Sequence, residues 1–331
     1  MPTIVPGTAA LYRRFAEVEA RGRSPLYEAL ALGVAGDADL LALLDGLPAP
    51  KRQPNLLLAS VRHVGGAVPS DWRAFRATAT TRWPEVRATM LARSTQTNEP
   101  GRCASLLPLL AALPQPLALI EVGASAGLCL LPDRYAYDFG SGRLVRGPAT
   151  AAGAPVFPCA VDDATPVPAA PPTVAWRAGL DLNPLDVRDA DAMDWLGTLV
   201  WPGQAERAER LAAAVRVARA DPPRVVRGDL RDGLRALAAE APRGATLVVF
   251  HTAVLAYVPE LAEREEFAGA VRGLCHHWIS NEAPGVLPAV TARAPASPPP
   301  GRFVLALDGV PVAWSDPHGA AVGWIGTPGG G

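Results

Sequence analysis

Apolar positions change their period near the middle of the chain. From residue 8 to about 113 they recur at helical spacing, and no convincing strand precedes residue 117. Ser24 before Pro25 predicts an N-cap and a proline at N1 for the helix LYEALALGVAG. Asp37 is placed to cap LLALLDG, and residues 50–64, 70–83, 84–94 and 102–113 continue the helical pattern. From residue 117 short apolar runs take over: LALIEV (117–122), TVAWRAG (173–179), RVVRGD (224–229), TLVVFH (246–251) and HHWIS (276–280). Helical stretches at 204–220, 230–240 and 260–274 separate the last four. Strands alternating with helices predict a parallel sheet with right-handed crossovers. RFVLALDGVPVAWSDPHG predicts a hairpin turning at Asp308-Gly309. Residues 135–172 break the alternation with a hairpin-like YAYDFGSGRLV and a Pro/Ala-rich stretch, and ARAPASPPPG (292–301) reads as a connector.

Length sharpens this picture. At 331 residues the chain has room for about two structural units. The pattern sets them as an N-terminal helical cap over 1–114 and an α/β core over 115–331, with an insert at about 135–172. A formal net charge of −1, with Arg scattered along the chain, gives no basic footprint. A small-molecule partner is therefore expected rather than a nucleic acid. Lys51 is the only lysine, which removes lysine-based Schiff-base and P-loop chemistry elsewhere. Cys103, Cys129, Cys159 and Cys275 form no CxxC pair and no zinc spacing, so no metal is implied and a reducing compartment is expected. The most apolar stretch, 106–131, is broken by Pro108, Pro114, Pro116 and Glu121. No membrane partner is expected from it, and with no signal-peptide pattern the expected location is cytoplasmic.

The first core strand ends in EVGASAG (121–127). Glycines there let the backbone turn tightly and approach a ligand, and a helix opened by the loop would offer free N–H groups. Glu121, Gly123, Ala124, Ser125 and Gly127 thus form a candidate cofactor cradle; ExGxSxG resembles the loop of class I methyltransferases, which implies S-adenosylmethionine with Glu121 toward its methionine end. The same residues spell GxSxG, the nucleophile elbow of α/β-hydrolases. Ser125 would then be the nucleophile, with Asp181 or Asp229 and one of His251, His276, His277 or His318 following in chain order. The helical pattern before the loop and the acid inside its strand favour the cofactor cradle.

Acids close two further strands. Asp181 opens DLNPLD after the second and Asp229, followed by Leu230, closes the third; both are candidate cofactor contacts, for a ribose diol and near an adenine. Asp181 lies 54 residues after Gly127, where about 20 is usual. Three polar clusters could serve an acceptor: TQTNEPGR (95–102), His251-Thr252 and Asn281-Glu282. Asn98, Glu99, His251 and Glu282 are the candidate catalytic residues, expected to line one cavity. Ordinary capping, strand-end and rim roles remain open for each. Trp72, Trp83, Trp195 and Trp201 are read as packing residues.

The strings SPLYEALA, QTNEPGRCASLLP, EVGASAGLCLLPDRYAY, GLDLNPLDV, LVWPGQ, VVFHTAVLAYVP and SNEAPG together resemble an uncharacterised bacterial family, a domain of unknown function with a methyltransferase-like core. The resemblance covers nearly the whole chain. It implies a class I methyltransferase-like, Rossmann-like core, while the use of S-adenosylmethionine rests on the loop and strand-end reading above. It implies nothing about the acceptor. It also leads one to expect Asn where this chain has Cys129.

Overall fold

The sheet is built outward from a strand buried along its whole length. A computed structural model of the chain describes residues 7–96 and 98–326. Thr97 of the TQTNEPGR cluster and the last residues of the expected core, 327–331, lie outside the described residues. Strand β1 (Leu117–Val122) is buried along its whole length, as a central parallel strand must be. The small strands β2 (Ala136–Asp138), β3 (Leu144–Val145) and β4 (Val156–Pro158) form a separate sheet in the order β3-β2-β4. They account for the hairpin-like insert. The remaining strands are β5 (Ala160–Val161), β6 (Val174–Asp181), β7 (Val225–Arg227), β8 (Thr246–Thr252), β9 (His277–Glu282), β10 (Phe303–Leu307), β11 (Val310–Ser315) and β12 (Ala321–Trp324).

With β1 they form a sheet ordered β5-β12-β11-β10-β9-β8-β1-β6-β7. The five strands from β9 to β7 run parallel. Beyond β9 the sheet continues as an antiparallel meander through β10, β11 and β12. The chain is thus a mixed α/β protein with a large, mostly parallel sheet. The β10–β11 hairpin turns at Asp308-Gly309, both at positive φ (51° and 76°), as the Asp-Gly signal predicts. Among the described residues no helix is long and apolar enough to cross a membrane.

The chain divides into two units, 1–97 with 193–209 and 98–192 with 210–331. The helical unit forms where sequence signals are strong. Ser24 and Asp37 accept hydrogen bonds from the amides of Tyr27 and Leu40 at 3.3 and 2.9 Å, capping the helices Pro25–Gly36 and Ala38–Asp45. Trp72, Trp83, Trp195 and Trp201 all pack on its core. Two differences from the expected boundary at 114 have packing reasons. Trp195 and Trp201 carry residues 193–209 into the helical unit, with Trp201 5.5 Å from both Phe15 and Tyr27. The helix Arg102–Ala112 belongs to the sheet unit, because Arg102 donates to the carbonyls of Thr252 and Pro317 at 3.0 and 2.8 Å.

Candidate functional site

The carboxyl ends of β1, β6, β7, β8 and β9 lie along one edge of the sheet, where ligands of open α/β sheets bind. The glycine loop leaves β1 at that edge. It does not open an α-helix, contrary to the expectation. Only the short 3-10 turn Leu128–Leu130 follows, and Pro132 ends it by restricting Leu131. The amides of Gly123, Ala124, Ser125 and Gly127 are satisfied within the chain. Gly123 and Ala124 donate to the Leu180 carbonyl at 2.8 and 3.2 Å, and Ser125 to Asp181 Oδ2 at 2.8 Å. Leu128 donates to Asn98 Oδ1 at 2.9 Å.

Left-handed backbone shapes the loop: Gly123, Ser125 and Gly127 have φ of 73°, 54° and 74°. A Cβ on Gly123 would collide with the Val254 side chain, and one on Gly127 would lie 2.7 Å from Pro223. The glycines are therefore required by close internal packing at both ends of the loop. A side chain at Gly123 would meet Val254 before any ligand.

Glu121 is the most unusual group here. It is buried, its Oε2 has no hydrogen-bond partner, and burial pushes its carboxyl well above the ordinary range. The neighbouring Cys129 and Asp181 add to the upward shift, while Arg102 opposes it. The Ser125 hydroxyl is likewise buried and without a partner. Asp181 holds the loop through Ser125 and also accepts from the Asn183 amide at 2.7 Å. Asp229 differs. Its carboxylate accepts Arg231 Nε at 2.8 Å and a terminal guanidinium nitrogen at 2.6 Å, a pairing that lowers its pKa. Leu230 packs against the sheet core.

Because side chains alternate along a strand, register divides the remaining candidates by face. Val122 pairs with His251 and His251 with Ser280, so His251, Ser280 and Glu282 share one face. His251 is fully buried, its ring centroid 5.7 Å from Phe267 and 5.8 Å from Trp278. Its Nδ1 lies 2.7 Å from Glu282 Oε1, while His251 Nε2 and Glu282 Oε2 have no partner. Glu121 shares the other face with Phe250, Thr252 and Asn281. Asn98 and Glu99 belong to that side: Cys129 Sγ is 3.2 Å from the Glu99 carbonyl, and Glu99 Oε1 accepts from the Gly101 amide at 3.1 Å. The four expected catalytic residues therefore form two groups, a His251–Glu282 pair and an Asn98–Glu99 brace for the loop after β1.

Asn281 and Arg102, members of two of the polar clusters but not among the candidate catalytic residues, join the buried polar set. Ser315 Oγ lies 2.7 Å from Asn281 Oδ1, and Asn281 Nδ2 has no partner. Arg102 donates to Thr252 Oγ1 at 3.2 Å as well as to its carbonyl. The available signal was SNE, three polar residues closing an otherwise apolar strand. Val254 gave none. The serine-hydrolase alternative fares no better in geometry. His276 and His277 stand at the amino end of β9 and bond the Leu247 amide and Asp308 at 2.8 and 2.9 Å, and no histidine reaches Ser125 Oγ.

No curated protein and no solved structure matches the chain. A family model described as an uncharacterized protein conserved in bacteria (DUF2332) matches residues 9–324. With nearly its whole length matched, the chain belongs to this uncharacterised bacterial family.

Proposed function

We propose that the chain is an S-adenosylmethionine-dependent methyltransferase acting on a small molecule, with a Rossmann-like core. The observation that carries this is Glu121: a buried carboxyl with an unfilled oxygen, ending the central strand beside a left-handed glycine loop. The parallel strands run β7-β6-β1-β8-β9, the 3-2-1-4-5 order of doubly wound nucleotide-binding sheets. In that order β1 and β8 flank the switch point, where such sheets bind ligands.

The residues present fit the cofactor at its amino-acid end. An ammonium group would fill Glu121 Oε2 and supply the opposite charge that ionises a buried carboxyl. Ser125 Oγ offers a second unfilled contact, and Asp181 fixes the loop on which both depend. Asp229 fits less well, since Arg231 already holds both of its oxygens. When bound, the sulfonium supplies an activated methyl group. The protein's task is then alignment and exclusion of water. His251, paired with Glu282 through Nδ1, lies on the sheet face opposite Glu121 and is given no step in the transfer.

Calorimetric titration tests this directly. Binding of S-adenosylmethionine or S-adenosylhomocysteine is expected at micromolar affinity, about −8 kcal/mol. Absence of both heat and a thermal shift at millimolar ligand would remove the proposal. One observation favours a serine hydrolase instead: Ser125 sits at φ 54°, the kind of sharp turn a nucleophile elbow imposes. Covalent labelling of Ser125 by a fluorophosphonate would establish that alternative.

A further inference from the structure

The segment after β8 adopts a backbone its sequence does not favour. Ala253 has φ 56°, a left-handed conformation that alanine rarely takes. Such a residue persists only where its surroundings over-determine it. Here Glu282 does so. Its Oε1 accepts from the amides of Val254 and Leu255 at 2.9 and 3.1 Å and also meets His251 Nδ1 at 2.7 Å. The Ala253 amide donates to the Asn281 carbonyl at 3.0 Å. One buried carboxylate oxygen therefore ties the turn to β9. The turn in turn presses the Val254 side chain onto Gly123, leaving no room there even for a methyl group.

We infer that Glu282 is a positioning residue for the glycine loop, acting through Val254 on Gly123. The cofactor role of that loop rests on the proposal above, but the mechanical link does not. Glu282 would set where Gly123 and the adjoining Ser125 stand, without touching a ligand bound there. The geometry explains why an acid ends β9, and why an alanine is held in a strained turn beside the edge where strands β1 and β8 meet.

Hydrogen exchange on the full-length, ligand-free chain provides the test. Glu282→Ala should speed exchange of the 123–127 amides at least tenfold while the interior of β8 stays protected. Glu282→Gln, which keeps an acceptor for the Val254 and Leu255 amides, should restore most of the protection. Val254→Ala, which leaves the buried pair untouched, should loosen the same loop; it serves as the test where Glu282→Ala does not fold. A folded Glu282→Ala with wild-type exchange at 123–127, or one that loosens the whole sheet uniformly, would overturn the inference. Titration with S-adenosylmethionine adds a second arm, in which Glu282→Ala should bind at least tenfold more weakly. If the unaltered chain does not bind it, the cofactor proposal fails while the exchange result still judges the link.

Discussion

An acid lies at or just beyond the carboxyl end of strands β1 and β7, Glu121 within the first and Asp229 two residues past the second, and the two are chemical opposites. Glu121 is sealed beneath its surroundings, has an oxygen with no partner and a carboxyl driven upward by burial. Asp229 is part-exposed, is held by both arms of Arg231, and has its pKa drawn down. In sequence both are acids within two residues of a glycine, near the end of a strand-like run. What separates them is unused hydrogen-bonding capacity. A buried unfilled polar group costs about 1–3 kcal/mol, a cost that the proposed ligand contact would offset. A saturated ion pair needs no ligand to explain it.

The glycines beside the two acids should show the largest contrast. Gly123→Ala forces alanine into the left-handed region and into Val254, a loss of about 2–5 kcal/mol from backbone and overpacking terms together. Gly228→Ala would meet only the end of the Leu180 side chain, 2.8 Å away, and should cost about 1 kcal/mol. Denaturant midpoints of the two variants measure the difference. Equal losses would mean that the loop after β1 is no more constrained than the one after β7.

Next in size is the pH dependence of Glu121. Its folded pKa is raised, so the folded chain holds a proton that the unfolded chain releases above about pH 4.3. Stability is therefore complete below that pH and falls as pH rises toward the folded pKa, by about 1.4 kcal/mol per pH unit within the window. Glu121→Gln removes this slope. The variant should melt higher than wild type at neutral pH, converge with it in acid, and bind S-adenosylmethionine at least tenfold more weakly. A variant that is no more stable at neutral pH would show that Glu121 is ionised and matched within the fold.

How much of this could be read from the sequence differs between the two ends. LALIEV marked β1 to the residue, and Asp308-Gly309 marked the β10–β11 hairpin, because burial and turn chemistry are local. The strand ends at Asp181, Thr252 and Glu282 ran longer than expected, since polar residues at a sheet edge interrupt the apolar pattern without interrupting the ladder. Glu121 and Asp181 stood out in the sequence as acids closing apolar runs, Asp181 despite a spacing from the glycine loop far longer than usual. The Arg231 clamp on Asp229 was not, because a pair two residues apart bonds only when the loop curls. Nor was the division of His251 from Glu99 by face, which depends on register between strands far apart in the chain. The missing helix after Gly127 had one visible warning, Pro132.

A smaller effect is expected at Ser125. Its hydroxyl bonds nothing in the chain, so Ser125→Ala should leave stability nearly unchanged. Affinity for S-adenosylmethionine should fall by no more than about tenfold, the value of one hydrogen bond of about 1 kcal/mol. Calorimetry on the variant measures it. A loss of many orders of magnitude in turnover on an ester, with fluorophosphonate labelling of the wild type, would instead assign Ser125 as a nucleophile.

The smallest effect is expected at Asp229, and it tests the comparison from its other side. The carboxylate is part-exposed and its partner Arg231 is more so, which places the pair among surface ion pairs worth about 0–1 kcal/mol. Its folded pKa is lowered, so this contribution is present above the ordinary aspartate pKa and disappears as pH falls through the folded value. Asp229→Asn should therefore be slightly less stable than wild type at neutral pH and equal to it in acid. With both oxygens held by Arg231, Asp229 has little left to offer a ligand, and the variant should bind S-adenosylmethionine within about threefold of wild type. A tenfold or greater loss at unchanged stability would mean that Arg231 swings aside when the ligand enters. Asp229 would then join Glu121 as a ligand contact, and the contrast between the two strand ends would describe only the ligand-free chain.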